Sequence, residues 1–540
     1  MTFSHAQDDI TYIESDTIPV QASDEKTHST KFPKKADGVV VEAQATPPRA
    51  CTFPFEIPFT KRRISRLLAA VIKFGKFMGP GAIISVAYID PDNYQTAISS
   101  SELQFRLLFM ILVSNIIAIY LQAMSIKLGS VTGLDLAQMN RAHLPRWLNI
   151  SAWIIAEASI VCTDISSVIG TAIAINILVP RIPLVAGCAL SIADTLFILL
   201  FYKPDGSLRR VRAFEIFIAG LVLGTFICFC IELSLITNAS LGQVFKGFLP
   251  SKGVFVSDGL FMSCAILGGT LMPHTLYLGS GLVQIRFRDF DIKHASYTEE
   301  TTPNFSTTKL YKPSLSAIKS CMNYSIAELC VTLFFVAVFI NSSILIIAVT
   351  SLSGAPDDAD LFSMYDLFVK TISRAAGTMF ALALLFSGIT AGIVATMAGQ
   401  LVAEGAMSWR MRPFYRRLVT RSIAIVPGII VAAACGRQGM AAALNGCNVV
   451  LSISLIFLIF PLIWYTSFDK YMTVEIEAEE SVITIETLEL TDAERVEQSR
   501  PTVSLANGWP ILIVGWLLWF IIAAMNVATL TFLGLGIGED

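Results

Sequence analysis

Two short polar clusters interrupt apolar stretches of this sequence. The first, Asp90-Pro91-Asp92-Asn93, lies inside GPGAIISVAYIDPDNYQTAISS; the second, Met272-Pro273-His274, lies inside SCAILGGTLMPHTLYLGSGLVQ. Each proline removes one helical hydrogen bond. Pro91 has no N–H for the carbonyl of Ala87, four residues earlier, and Pro273 has none for that of Gly269. In an apolar surrounding a freed carbonyl persists only where something binds it or water reaches it. Each break therefore pairs a carbonyl with a polar side chain: Ala87 with Asp90 and Asn93, Gly269 with Met272. One carboxylate, one amide oxygen, two carbonyls and one thioether are a cation-binding set. Hard oxygens alone would suit Ca2+ or Mg2+; a soft sulfur among them tilts the set toward Mn2+, Fe2+ or a similar divalent transition metal.

Taken singly, each residue has an ordinary reading. A methionine in an apolar helix packs, a buried histidine is a hydrogen-bonded core group, and a proline in a membrane helix kinks it. Asp90 resists such a reading, because no basic residue stands within a turn of it on its own segment. The joint occurrence of the two clusters, each in the middle of a long apolar run, makes them candidate site residues.

The elements that must hold these clusters are membrane helices. Of the 540 residues 54% are hydrophobic and 15% charged, the mean hydropathy is +0.64 and the formal net charge is −3. That balance excludes an ordinary soluble enzyme and a disordered chain, and it supplies no basic field for a nucleic acid. No phosphate-binding glycine motif or nucleophile–base set is evident, so no enzymatic activity and no prosthetic group are expected. Apolar runs long enough to span a bilayer occur near 78–100, 106–127, 150–178, 184–202, 213–236, 258–284, 325–350, 375–404, 417–434, 446–466 and 509–533. The expected fold class is thus an all-α polytopic membrane protein with eleven transmembrane helices. The ten cysteines are scattered singly, many of them within these runs, and read as small core residues.

Loop charge sets the expected orientation. Lys127, Arg141 and Arg146, then Lys203, Arg209, Arg210 and Arg212, then Arg286, Arg288 and Lys293, then Arg410, Arg412, Arg416 and Arg417 fall on one side, with Lys61, Arg62, Arg63 and Arg66 ahead of the first span. That side is cytoplasmic by the positive-inside rule, which puts the N-terminus inside. Residues 1–66 read as a disordered cytoplasmic tail, 67–466 as a transporter core, 467–508 as a solvated cytoplasmic loop with ten acids against three bases, and 509–540 as an eleventh span with a short non-cytoplasmic end. The broken first and sixth spans each open a five-helix half, at about 78–236 and 258–466. Matching breaks are the sequence pointer to an inverted-repeat transporter with a site at the membrane midplane.

At Asp90, Pro91 and Asn93, and again at Met272, Pro273 and His274, the sequence resembles the NRAMP (natural resistance-associated macrophage protein) family of proton-coupled divalent metal transporters, with most likeness to its fungal members. The resemblance implies the LeuT-like 5+5 inverted-repeat fold with discontinuous helices 1 and 6. It also implies alternating access, with metal held by Asp90, Asn93, Met272 and the carbonyls of Ala87 and Gly269. In the third span Asp164 matches the acid of the family's proton pathway, and Arg416 and Arg417 match its paired arginines; His274 is a further candidate proton acceptor. Three positions depart from the family pattern. Asp92 replaces a glycine, Ser167 stands where a glutamate is usual, and Asn448 stands in the tenth span where a glutamine can reach the metal. Asp92 and Asn448 are therefore further candidates for the metal or for supporting its ligands, and Ser167 removes one proton acceptor.

The expected function is proton-coupled movement of Mn2+ or Fe2+ into the cytosol across the plasma membrane or a vacuolar or endosomal membrane, with metal ions, protons and the lipid bilayer as partners. Two alternatives remain open: a metal uniporter with weak proton coupling, and a membrane metal sensor that binds without transporting.

Overall fold

The fold is given by a computed structural model. It describes residues 84–85, 87–191, 208–236, 240–255, 257–294, 311–351, 360–407, 413–434, 436–475 and 502–535, without the side chains of 208–215, 257–258, 413–418, 420–421, 424, 438 and 475. All of them belong to one unit, Leu68–Asp540. The expected tail at 1–66 and most of the acidic segment lie outside the described residues.

Among the described residues eight helices are long and apolar enough to cross a bilayer: Ser101–Thr132, Arg146–Leu178, Ile216–Leu235, Gly259–Lys293, Leu315–Ser351, Arg374–Met407, Gly439–Ser467 and Trp509–Gly534. They coincide with the second, third, fifth to eighth, tenth and eleventh expected spans. The first and fourth expected spans fall partly on residues outside the description, and the ninth appears as the helix Pro413–Ala434. The chain is an integral, multi-pass, all-α membrane protein.

Both expected breaks are present. Residues 87–90 leave helical geometry, Asp90 is extended (φ −131, ψ 164), and a helix restarts at Pro91 and runs to Ser99. Proline at the first helical position is favourable because its missing N–H would have no partner there. In the sixth span the helix Ser257–Leu271 stops, Met272 and Pro273 bridge, and His274–Lys293 begins. The third-span helix packs along the eighth through small residues, and Gly170 on it faces the Pro91 ring so closely that a Cβ there would overlap it. Small residues allow such close approach between membrane helices. The pocket for Pro91 is thus cut into the third span. The seventh span carries a π-helical turn, Leu333–Ala337, which changes the face presented by Asn341 further on.

The buried apolar residues form two clusters. Ala87, Tyr88 and Met272 belong to one; Ile89 and Tyr94 belong to the other. The helix breaks lie on the seam between them. The second span ends at Gly133 in the left-handed region (φ 67), and Asp135 then caps the helix Leu136–His143 through a capping box, with Gln138 N donating to Asp135 Oδ1 at 2.9 Å.

The two ends of the acidic segment are tied together. Thr473–Glu475 pairs antiparallel with Thr502–Ser504, Thr473 opposite Ser504. Leu505 N donates to the Met472 carbonyl at 2.8 Å, and Lys127 Nζ donates to Asn507 Oδ1 at 2.7 Å. The segment therefore leaves and re-enters at the end of the second span.

Asp135 lies outside the spanning helices, and burial pushes its carboxyl up to about 7. Its ordinary value is near ~3.9, so the folded protein holds this proton more tightly than the unfolded chain does. The contribution to stability is present below about pH 4 and is lost as pH rises toward about 7. Asp135→Asn keeps a capping oxygen and removes the titration. Thermal melts in detergent at about pH 5 and about pH 8 should show the wild type losing a few degrees more than the variant; equal losses would contradict the assignment.

Candidate metal centre

The backbone of the first break is held by side chains from three directions. The Tyr88 carbonyl accepts from Asn341 Nδ2 at 3.2 Å and from Asn93 Nδ2 at 3.4 Å. The Ile89 carbonyl accepts from Ser387 Oγ at 3.0 Å. Asn93 N donates to the Asp90 carbonyl at 3.2 Å, which starts the helix. These bonds satisfy carbonyls that the break would otherwise leave bare in an apolar interior. They also fix where the Asp90 side chain emerges.

Asp90 is fully buried, and its Oδ1 accepts from Asn93 Nδ2 at 2.6 Å, while its Oδ2 is buried without a hydrogen-bond partner. With its nitrogen so engaged, Asn93 turns its Oδ1 toward the sixth span: a Cβ built on Gly269 would lie 2.8 Å from it. The same point is 2.8 Å from Asn448 Oδ1, which is also buried without a partner. Asn448 donates from Nδ2 to Thr96 Oγ1 at 2.8 Å, so its oxygen is the end left open. The amide at this position thus lies against Gly269, and the absence of a side chain on Gly269 is what makes room for the two amide oxygens. Asp92 is fully buried one residue beyond Pro91, its carboxyl beside that of Asp90 and the Ser166 hydroxyl.

On the opposite flank the two breaks are joined by a hydroxyl network. Gln122 Nε2 donates to Tyr88 OH at 2.9 Å and to Thr275 Oγ1 at 2.8 Å, and Tyr88 OH lies 3.3 Å from Thr275 Oγ1. Thr275 Oγ1 in turn donates to the Met272 carbonyl at 2.8 Å. The two breaks thus meet side by side, through Asn93 with Gly269 and through Tyr88 with Thr275, and Asp90, Ala87 and Met272 are all buried.

The proton-pathway residues are only partly drawn together. His274 opens its half-helix fully buried, with neither ring nitrogen hydrogen-bonded among the described residues. Asp164 and Ser167 are buried on the third span. Arg416 and Arg417 lie in the helix Pro413–Ala434, which packs on the third span, but their side chains are outside the described residues.

Tyr88, Gln122, Thr275 and Asn341 were not foreseen as site residues. Gln122 and Asn341 carried a signal, each being an amide within an apolar span. Tyr88 and Thr275 carried none beyond adjacency to the motifs.

A family model described as Natural resistance-associated macrophage protein-like matches residues 81–479. The manganese transporter SMF1 of Saccharomyces cerevisiae is 42% identical over 545 residues, covering 94% of each chain. The manganese transporter pdt1 of Schizosaccharomyces pombe is 45% identical and covers 86% of each, and the iron transporter SMF3 of Saccharomyces cerevisiae is 47% identical over 75% of this chain and 84% of its own. The crystal structure of the Eremococcus coleocola manganese transporter superposes with a TM-score of 0.66 at 28% identity, over 90% of this chain and 91% of that one. With the family model spanning most of the chain and the helix breaks in place, the protein belongs to the Nramp family of transporters and shares its LeuT-like fold.

Proposed function

We propose that this protein is a proton-coupled transporter that carries Mn2+ or Fe2+ into the cytosol by alternating access, with its N-terminus on the cytoplasmic side of a plasma, vacuolar or endosomal membrane. The observation that carries the reading is the buried meeting of the two helix breaks, where Asp90 Oδ2 and Asn448 Oδ1 lack partners beside Asn93 Oδ1 and Gly269. Relatives named for manganese and iron transport support the choice of cargo.

In this reading Asp90, Asn93, Met272 and the carbonyls of Ala87 and Gly269 take the place of the ion's water shell, and Asn448 and Asp92 stand close by as further oxygen donors. A carboxylate gives the attraction that offsets dehydration of a divalent ion. The thioether makes the site less suited to Ca2+ and Mg2+, which favour oxygen ligands alone. Tyr88, Gln122 and Thr275 act as a seal between the breaks, and its hydrogen bonds must part for the two half-helices to hinge. His274, and Asp164 with Arg416 and Arg417, are the candidate proton carriers. Ser167, in place of a glutamate, favours one second reading: metal uniport with weak proton coupling.

Two substitutions test the site. In reconstituted vesicles Asp90→Ala should bring Mn2+ uptake down to the level of empty liposomes; wild-type rates would refute the reading. Bound Mn2+ without flux in the wild-type protein would instead indicate a sensor. Met272→Ala should keep Mn2+ uptake measurable while discrimination against Ca2+ falls about tenfold, equivalent to about 1.4 kcal/mol. Unchanged discrimination in a competition assay would remove sulfur as the filter. A lumenal pH dye read during uptake separates symport from uniport.

A further inference from the structure

One intramembrane acid lies outside the metal centre. Glu232 is on the fifth-span helix Ile216–Leu235, fully buried, and both of its carboxylate oxygens lack a hydrogen-bond partner. It shares a buried stripe with Thr225, Cys228 and Phe229. That stripe faces the helix following the first break and the eighth span: the Phe229 ring is 5.5 Å from that of Tyr94, and Gly224 abuts Phe386. Among the described residues the titratable side chains facing Glu232 are Tyr94, from the first span, and Cys228, on its own helix. The seventh and eighth spans present Phe339, Phe386 and Phe380 toward this region. No described cation stands there to hold an ionised carboxylate.

An unpaired carboxylate in such a place is strongly disfavoured, and the neutral acid is the form that dry packing tolerates. Ionic residues within spans are rare enough that one kept there without a partner calls for a role. Tyr94 supplies the connection. It lies one turn after Asp90, within electrostatic reach of both Asp90 and Glu232, and its hydroxyl lies beside Ser387 and 3.4 Å from the Ala383 carbonyl. Ser387 Oγ donates to the Ile89 carbonyl at 3.0 Å. Two hydroxyls thus lie between the backbone of the first break and the helix face that carries Glu232, neither of them hydrogen-bonded to its carboxyl. Each can donate and accept, so once water enters, a hydroxyl can take a proton from one water and release its own to another that reaches Glu232, ending unchanged with one proton moved.

We propose that Glu232 is a second proton-carrying carboxyl of the transporter, joined to the first helix break through the hydroxyls of Tyr94 and Ser387. It keeps its proton while this region is closed and exchanges it when movement of the first-span half-helix past the fifth span admits water. The role would make up for the acid that Ser167 lacks. This inference rests on the proton-coupled reading above.

The test uses the full chain in proteoliposomes, with Mn2+ as cargo and a lumenal pH dye as the proton readout. Glu232→Gln preserves shape and removes the exchangeable proton. It should cut protons moved per Mn2+ by about half, and Glu232→Asp should restore the ratio. It should also flatten the dependence of Mn2+ uptake on external pH. Tyr94→Phe, which removes the linking hydroxyl alone, should slow proton movement in the same direction. A Glu232→Gln protein with the wild-type proton ratio and pH profile would overturn the assignment while leaving the coupled reading intact. So would loss of transport that Glu232→Asp does not rescue, since that marks a packing role. Wild-type Mn2+ uptake without any proton movement would overturn both.

Discussion

Everything in this molecule is arranged around the meeting of two interrupted helices inside an apolar interior. A continuous helix satisfies its own backbone, and so offers an ion nothing. Interrupting two neighbouring helices at one level exposes backbone and polar side chains where water is scarce, and the surrounding helices must then satisfy what the cargo does not. Asn341, Ser387 and Asn93 do this for the carbonyls of Tyr88 and Ile89. Among the oxygens that remain open, Asn448 Oδ1 faces Gly269 at the second break.

The same constraint explains why the packing is built from small residues at particular places. Gly170 admits the Pro91 ring, and Gly269 admits two amide oxygens; in both cases a single Cβ would occupy the space that the site needs. The two apolar clusters on either side of the breaks supply the packing that holds the half-helices in register. Their separation by a polar seam leaves the break as the natural place for relative movement, since polar contacts can be exchanged for metal or water while packed apolar clusters move as bodies. The Gln122–Tyr88–Thr275 network lies across that seam and ties the second span to both breaks.

The acidic segment after the tenth span is more closely attached than its composition implies. A three-residue strand at each end pairs with the other, and Lys127 and the His143 ring meet the flanking residues, the latter 4.8 Å from Tyr471. Charge patterning along a segment reports solvation of its middle and carries no information on how its ends are fastened. That is why a chain read as a plain loop returns through a β ribbon.

Proline chemistry and the exclusion of charge from lipid are local rules, so the sequence alone was enough to locate both breaks, to name Asp90, Asn93 and Met272 as the residues beside them, and to mark the chain as a multi-pass helical membrane protein. The family resemblance rested on the same residues. What could not be read were relations among side chains from distant spans. Asn448 is one methylene shorter than a glutamine, and only the packing of the tenth span shows that its oxygen lies against Gly269. Tyr88 and Thr275 are unremarkable in the sequence and became part of the site only because Gln122 stands between them. Glu232 drew no attention in the sequence, and its place behind Tyr94 depends on how the fifth span is rotated against the first. Distances of this kind are set by helix packing over hundreds of residues of separation, and only the folded chain determines them.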